Sequence, residues 1–315
     1  MGFCYAALVL WGLGYPERAR ERVAEGSRLA QELSHPNTSA YALYIAAAHC
    51  ALRREESATQ KYAEALMTLA TEREFPHWLT RGAVYRGWAW AVQGHLDEGM
   101  SEMHEGITAS RRMGAEVWQP YFRALLADLY SKKGQPETGL ALVTEALAMM
   151  DRTRERIAES ELYRLKGQLT LQQFQVPSSR FQVSENHKAK GKNQKPVLSP
   201  STEPVLSIVE GLRVNSVEGA KIDLNPQPPT PNTQEAVERE AEECFLKAIE
   251  IARRQQAKSF ELRAVTSLAR LWQCQGKHPA ARNTLSEIYG WFTEGFDTAD
   301  LKEAKALLDE LARNT

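Results

Sequence analysis

Apolar and small residues recur along this chain with two nested periods. Over short distances they follow the three-to-four-residue spacing of helices packed on one side, and the whole pattern then repeats every 40 residues. The long period shows first in the turns. Gly14-Tyr-Pro16-Glu, Gly94-His-Leu-Asp97-Glu and Gly134-Gln-Pro136-Glu share one design, and Arg54-Glu-Glu fills the slot between the first two. Glycine accepts the left-handed backbone that stops a helix, while proline or an acidic residue suits the first turn of the next one. The spacing therefore predicts one helical hairpin per 40 residues.

Small residues repeat in the same register. Ala7, Ala47, Gly87, Ala127 and Gly167 fall in the first helix of each hairpin, and Ala19, Thr59, Gly99 and Gly139 fall early in the second. Val23, Ala63, Met103 and Val143 follow, then Gly26, Leu66, Gly106 and Ala146. Small side chains facing one another allow two helices to approach closely, with Leu10, Cys50, Trp90 and Tyr130 filling the space beside them. Beyond Gln173 the register lapses and then returns. Ala241, Phe245 and Ala248 match Gly139, Val143 and Ala146, whereas Ala269, Trp272 and Gly276 match Ala127, Tyr130 and Gly134. The two shifts, 102 and 142, differ by one period, so 62 surplus residues interrupt the fifth hairpin without disturbing its phase.

The expected organisation follows. Residues 1–175 hold repeats 1 to 5, ending with the first helix of repeat 5; residues 176–233 form a proline-rich, disordered insertion; residues 234–315 complete repeat 5 and add repeat 6 and a closing helix. Eight of the 14 prolines lie between Pro177 and Pro231, and a basic tract runs from His187 to Lys195. Proline at that density blocks helix continuation. From Thr298 to Arg313, Leu301, Ala304, Leu307, Leu308 and Leu311 make one apolar stripe, with Asp297 or Thr298 placed to cap the helix. No polar cap precedes Phe3, so the first hairpin is expected to expose apolar surface, the chain to self-associate through it, and the whole to be the tail of something longer.

Small residues at Ala7, Ala19 and Gly26, with an apolar residue three positions before the last, resemble a tetratricopeptide repeat with lengthened helices. That family's usual period is about 34 residues, so helix pairs of the HEAT type, at about 40 to 47, remain a rival. Residues 86–90, 242–254, 267–272 and 289–305 resemble the C-terminal repeat region of large bacterial proteins that join a class III adenylate/guanylate cyclase domain, an AAA-type ATPase and a tetratricopeptide tail. The resemblance implies an all-α, right-handed α-solenoid of about six hairpins plus a capping helix. It also implies an interaction scaffold in bacterial signalling, with cyclase or ATPase modules of a parent protein as partners. The alternative it leaves is a piece of such an enzyme whose catalytic domains lie upstream.

Composition adds exclusions. Of 315 residues, 43% are hydrophobic and 25% charged, which suits a globular chain and excludes a wholly disordered or membrane-spanning one. A net charge of -1 removes the basic excess that nucleic-acid binding favours, leaving a single-stranded nucleic-acid binder as the weakest reading. Cys4, Cys50, Cys244 and Cys274 lie far apart with no zinc spacing, which fits reduced thiols and a cytoplasmic setting. The apolar N-terminal run is too short to span a bilayer. Gly191-Lys and Gly276-Lys lack the remainder of a phosphate loop, and His104-Glu105 meets Thr108 where a metalloprotease motif needs histidine. No catalytic residue, cofactor or metal is therefore expected.

What remains is the concave groove that first helices line in such arrays. The register places Tyr41, Tyr44, Arg81, Trp88, Tyr121, Asp128, Lys132, Glu161, Arg164, Gln168, Arg263 and Arg270 on that face. Aromatic and arginine side chains anchor interfaces. The excess of positive over negative charge among them points to an acidic peptide or protein segment as ligand.

Overall fold

The computed structural model describes residues 2–175 and 231–313, of which 2–175 and 232–313 belong to one packed unit. Among these residues the chain is helical without strands. The helices run α1 (Gly2–Gly12), α2 (Pro16–Leu33), α3 (Pro36–Leu52), α4 (Glu56–Glu72), α5 (Pro76–Val92), α6 (Leu96–Arg112), α7 (Gln119–Lys132), α8 (Pro136–Thr153), α9 (Glu159–Gln175), α10 (Pro231–Arg254), α11 (Lys258–Cys274), α12 (His278–Tyr289) and α13 (Ala299–Arg313). Consecutive helices pack as pairs, giving six hairpins and a closing helix.

The turns form as their residues dictate. Gly14, Gly94, Gly134 and Gly276 adopt left-handed φ of 89°, 108°, 71° and 73°. In each turn the following amide bonds back to the preceding helix, as from Tyr15 to the Leu10 carbonyl and from His95 to the Trp90 carbonyl, both closing orphan acceptors at the helix end. Proline opens α2, α3, α5 and α8, where a missing amide hydrogen costs nothing.

Packing within a hairpin rests on the small-residue pairs. A Cβ on Gly87 would lie 2.5 Å from the Gly99 carbonyl oxygen, and one on Gly99 would lie 2.3 Å from that of Gly87. Even-numbered helices bury a single stripe, such as Ala19, Val23, Gly26 and Ala30 on α2, and turn charged faces outward. The odd-numbered helices α3 to α11 are enclosed on most sides: α3 buries eleven residues, among them Tyr44, Ile45 and His49. The odd helices thus form an inner row and the even helices an outer one.

The fifth hairpin closes in register. Ala241 and Phe245 of α10 meet Gly167 of α9, and the Ser160 hydroxyl donates to the Ala248 carbonyl at 2.9 Å. The stretch read as a disordered insertion lies outside the described residues, except that α10 begins at Pro231, inside the 176–233 span assigned to it. Proline is well placed there because it takes the first position of the helix.

The first hairpin exposes Phe3, Tyr5 and Val9, while its tip docks on the sixth, a contact the repeat pattern did not show. Trp11 packs edge-on against Phe260 with ring centroids 5.0 Å apart, Ser259 donates to the Trp11 carbonyl, and Glu294 accepts from the Glu17 and Arg18 amides at 3.0 and 3.1 Å. These contacts join positions some 250 residues apart, so local periodicity gives no sign of them. At the other end, α13 buries Leu301, Ala304, Leu307 and Leu311 as expected, but the Thr298 hydroxyl turns back to the Gly295 carbonyl and does not cap it.

Candidate functional site

Inner-row positions recur every 40 residues, so the same faces of α5, α7, α9 and α11 point to one place. Arg81, Tyr121, Glu161 and Arg263 share one register position, and Trp88, Asp128, Gln168 and Arg270 share another two turns later. Where the turn of the second hairpin meets α13 through Arg54, Asp300 and Glu303, the inner row leaves a cavity of about 340 Å³. Trp88, Val92, Tyr121, Ala124 and Leu125 make an apolar and aromatic wall. The remaining lining is charged or polar: Arg54, Glu56, Asp128, Lys132, Glu161, Arg164, Gln168, Arg263, Ser267, Arg270 and Glu303, with Ala51 between.

The cations are held by carboxylates. Arg54 reaches Asp300 at 3.3 Å and Glu303 at 2.8 Å, and Arg270 reaches the other oxygen of Glu303 at 3.0 Å. Arg263 pairs with Asp300 at 2.8 Å and donates to the Leu52 carbonyl. On α9, Arg164 forks onto Glu161 at 2.7 and 3.0 Å and donates to Gln168 at 2.8 Å. Lys132 pairs with Asp128 one turn earlier at 2.9 Å. Burial alone would raise the Glu161 pKa, but Arg164, with Arg263 and Arg54 beyond it, holds it down to about 2. Burial also pushes the Tyr121 phenol upward, so it stays a neutral hydrogen-bonding group. Fixed charges beside an aromatic wall can bind and orient a polar segment, and Glu161 retains no proton to donate near neutral pH.

Nine of the twelve expected groove residues (Trp88, Tyr121, Asp128, Lys132, Glu161, Arg164, Gln168, Arg263 and Arg270) line this cavity. Tyr41, Tyr44 and Arg81 do not. Tyr44 stacks within an aromatic group with Tyr41, Trp78, Tyr85 and Trp118, and buried Arg81 donates to the Tyr44 hydroxyl at 3.1 Å, to His77 Nε2 and to the Val117 carbonyl. Packing against neighbouring repeats buries Tyr44 and Arg81, while half-buried Tyr41 lines a separate groove between α1, α2 and α3. The charge balance also differs from the sequence reading. Arg54, Lys132, Arg164, Arg263 and Arg270 face Glu56, Asp128, Glu161, Glu303 and, just behind the wall, Asp300. The positive excess disappears because α13, read only as a closing helix, contributes carboxylates to the site.

Among the described residues no group of histidine, cysteine, aspartate or glutamate is placed to hold a metal ion, and no helix is long and apolar enough to cross a membrane. Compared with protein-family profiles, the chain matches none. A comparison with curated proteins likewise finds no match.

Proposed function

We propose that this chain is a non-catalytic binding module that holds a segment of a protein partner in the cavity of its inner helix row, and that it serves as the repeat tail of a cyclase/ATPase-type signalling protein. The observation that carries the first half is convergence: α3, α5, α7, α9, α11 and α13 all bring side chains to one 340 Å³ space. A space of that size suits a few side chains or a small ligand. The matching segment presents one apolar or aromatic residue to Trp88, Tyr121 and Leu125 and charges of both signs to the opposite wall, because five lining cations meet four lining carboxylates and Asp300 just behind them. Steering by a single sign of charge plays no part in this reading. The second half rests on the sequence resemblance alone.

Lys132 and Arg270 are the cavity cations with side chains more than half exposed, so reversing them does not disturb buried packing. The double variant Lys132→Glu, Arg270→Glu is expected to keep its helical spectrum and lose the partner that the parent chain retains in affinity purification. Retention of that partner by the variant contradicts the assignment. Turnover of ATP or GTP by the purified chain contradicts the non-catalytic reading.

A further inference from the structure

The cavity is built differently at its mouth and at its floor. Lys132 and Arg270, with side chains more than half exposed, and exposed Glu56 stand at the rim. Deeper in, Tyr121 is 2% exposed, Trp88 5% and Glu161 9%, with Ala51 and Ala124 buried between them. Every cation of the lining already faces a carboxylate: Lys132 has Asp128, Arg54 and Arg270 share Glu303, Arg263 has Asp300, and Arg164 has Glu161. What lacks a partner at this depth is neutral. The Tyr121 hydroxyl and the Trp88 indole N–H make no hydrogen bond among the described residues, although both side chains line the cavity and are more than nine-tenths buried. Buried polar groups are normally paired, so two orphan donors in one cavity mark a place for an acceptor brought from outside the chain.

Charge decides which acceptor fits. A carboxylate carried to the floor would be a buried ion without a counter-ion, because reaching Arg164 or Arg263 means displacing Glu161 or Asp300. An ammonium would meet the same two arginines as like charges. A carboxamide carries neither cost. Its carbonyl oxygen accepts from Tyr121 and Trp88, and its NH2 group can donate to Glu161, whose two oxygens each accept one bond from Arg164 and keep a lone pair. Glu161 shares a register position with Tyr121 on the next inner helix, which packs against α7, and it acts on the Tyr121 phenol electrostatically.

We propose that the floor of the cavity is a carboxamide subsite, in which Tyr121, Trp88 and Glu161 hold the side chain of a glutamine or asparagine of the bound segment. This subsite rests on the cavity being a segment-binding site, and it names the side chain that goes deepest. Ala51, Ala124 and Leu125 offer apolar surface to its methylene stem.

A displayed library of random heptapeptides, selected on the intact chain and counter-selected on the Lys132→Glu, Arg270→Glu variant, supplies cavity-dependent ligands without the natural partner. Those peptides are expected to share a glutamine or asparagine whose replacement by glutamate or aspartate weakens binding about tenfold or more. Tyr121→Phe is expected to weaken the same peptides about tenfold. Its melting temperature is expected to match the parent's, because the hydroxyl it removes holds nothing in the folded chain; a merely structural role would lower it. Cavity-dependent peptides that need no carboxamide, or that bind Tyr121→Phe as well as the parent, overturn the subsite and leave the segment-binding reading standing. A selection that yields no peptide dependent on the rim residues overturns both.

Discussion

At the scale of single residues, the same register position carries different burdens in different repeats. Gly99 and Gly139 both sit where the second helix of a hairpin presses on the first. A Cβ at Gly99 would meet backbone, the Gly87 carbonyl at 2.3 Å and the Ala91 amide nitrogen at 2.5 Å; at Gly139 the closest atom is a Leu169 methyl at 2.8 Å, which can rotate away. Gly99→Ala is expected to destabilise by about 1 to 3 kcal/mol. Gly139→Ala, offset by the better helix propensity of alanine, is expected to stay within about 1 kcal/mol of the parent. Chemical denaturation of the two variants measures both. His49 gives a second residue-scale prediction. Burial first, then Arg53 and Arg20, lower its pKa from 6.5 to about 3, so the folded state holds it neutral while the unfolded chain takes up a proton. Its share of stability is complete above pH 6.5 and is lost progressively as pH falls toward 3. Up to about 2 kcal/mol is expected to disappear between roughly pH 7 and 5. The loss is expected to shrink in His49→Ala, which installs the residue found at Ala89. An unchanged pH profile in that variant contradicts this assignment.

At the scale of elements, the turn at Arg54 shows what the sequence made legible and what it concealed. Left-handed residues occur at both kinds of turn: Gly14, Arg54, Gly94, Gly134 and Gly276 within hairpins, and Ser34, Glu74, Gly114, Arg154 and Gln256 between them. The first set was readable because glycine marks four of its five places. Four of five in the second carry side chains, so the chain gives no cue to a conformation imposed by helix packing. Arg54 holds φ 60° where its counterparts are glycine, and its side chain reaches Asp300 and Glu303. A left-handed residue with a Cβ costs about 1 to 2 kcal/mol, comparable with what a partly exposed ion pair returns. Arg54→Gly is therefore expected to change stability by less than about 1 kcal/mol. Calorimetric melting checks it, and a large loss shows the ion pair to be worth more than the strain.

At the scale of the whole molecule, inner-row positions such as Asp128, Gln168 and Arg270 were legible because one register places them all on one face. The contributions of Arg54, Asp300 and Glu303 were not, because they depend on the second hairpin meeting the closing helix α13. Closure makes a distinct prediction. In an open array each repeat leans only on its neighbours, so damage stays local. Here Phe260 packs on Trp11, and Phe260→Ala, expected to cost about 3 kcal/mol or more, is expected to raise hydrogen exchange in α1 and α2 as well as in α11. Loss of protection confined to α10–α12 contradicts closure.

The decisive question is where a partner touches this chain. Photoreactive phenylalanine at position 132 or 267, inside the cavity, and at position 105, exposed on outer helix α6, separates the concave from the convex side in the organism that makes the protein. Crosslinks to one partner from positions 132 and 267, and none from 105, are expected. Crosslinks from position 105 with none from the cavity positions would place the interaction on the outer row and contradict the proposed function.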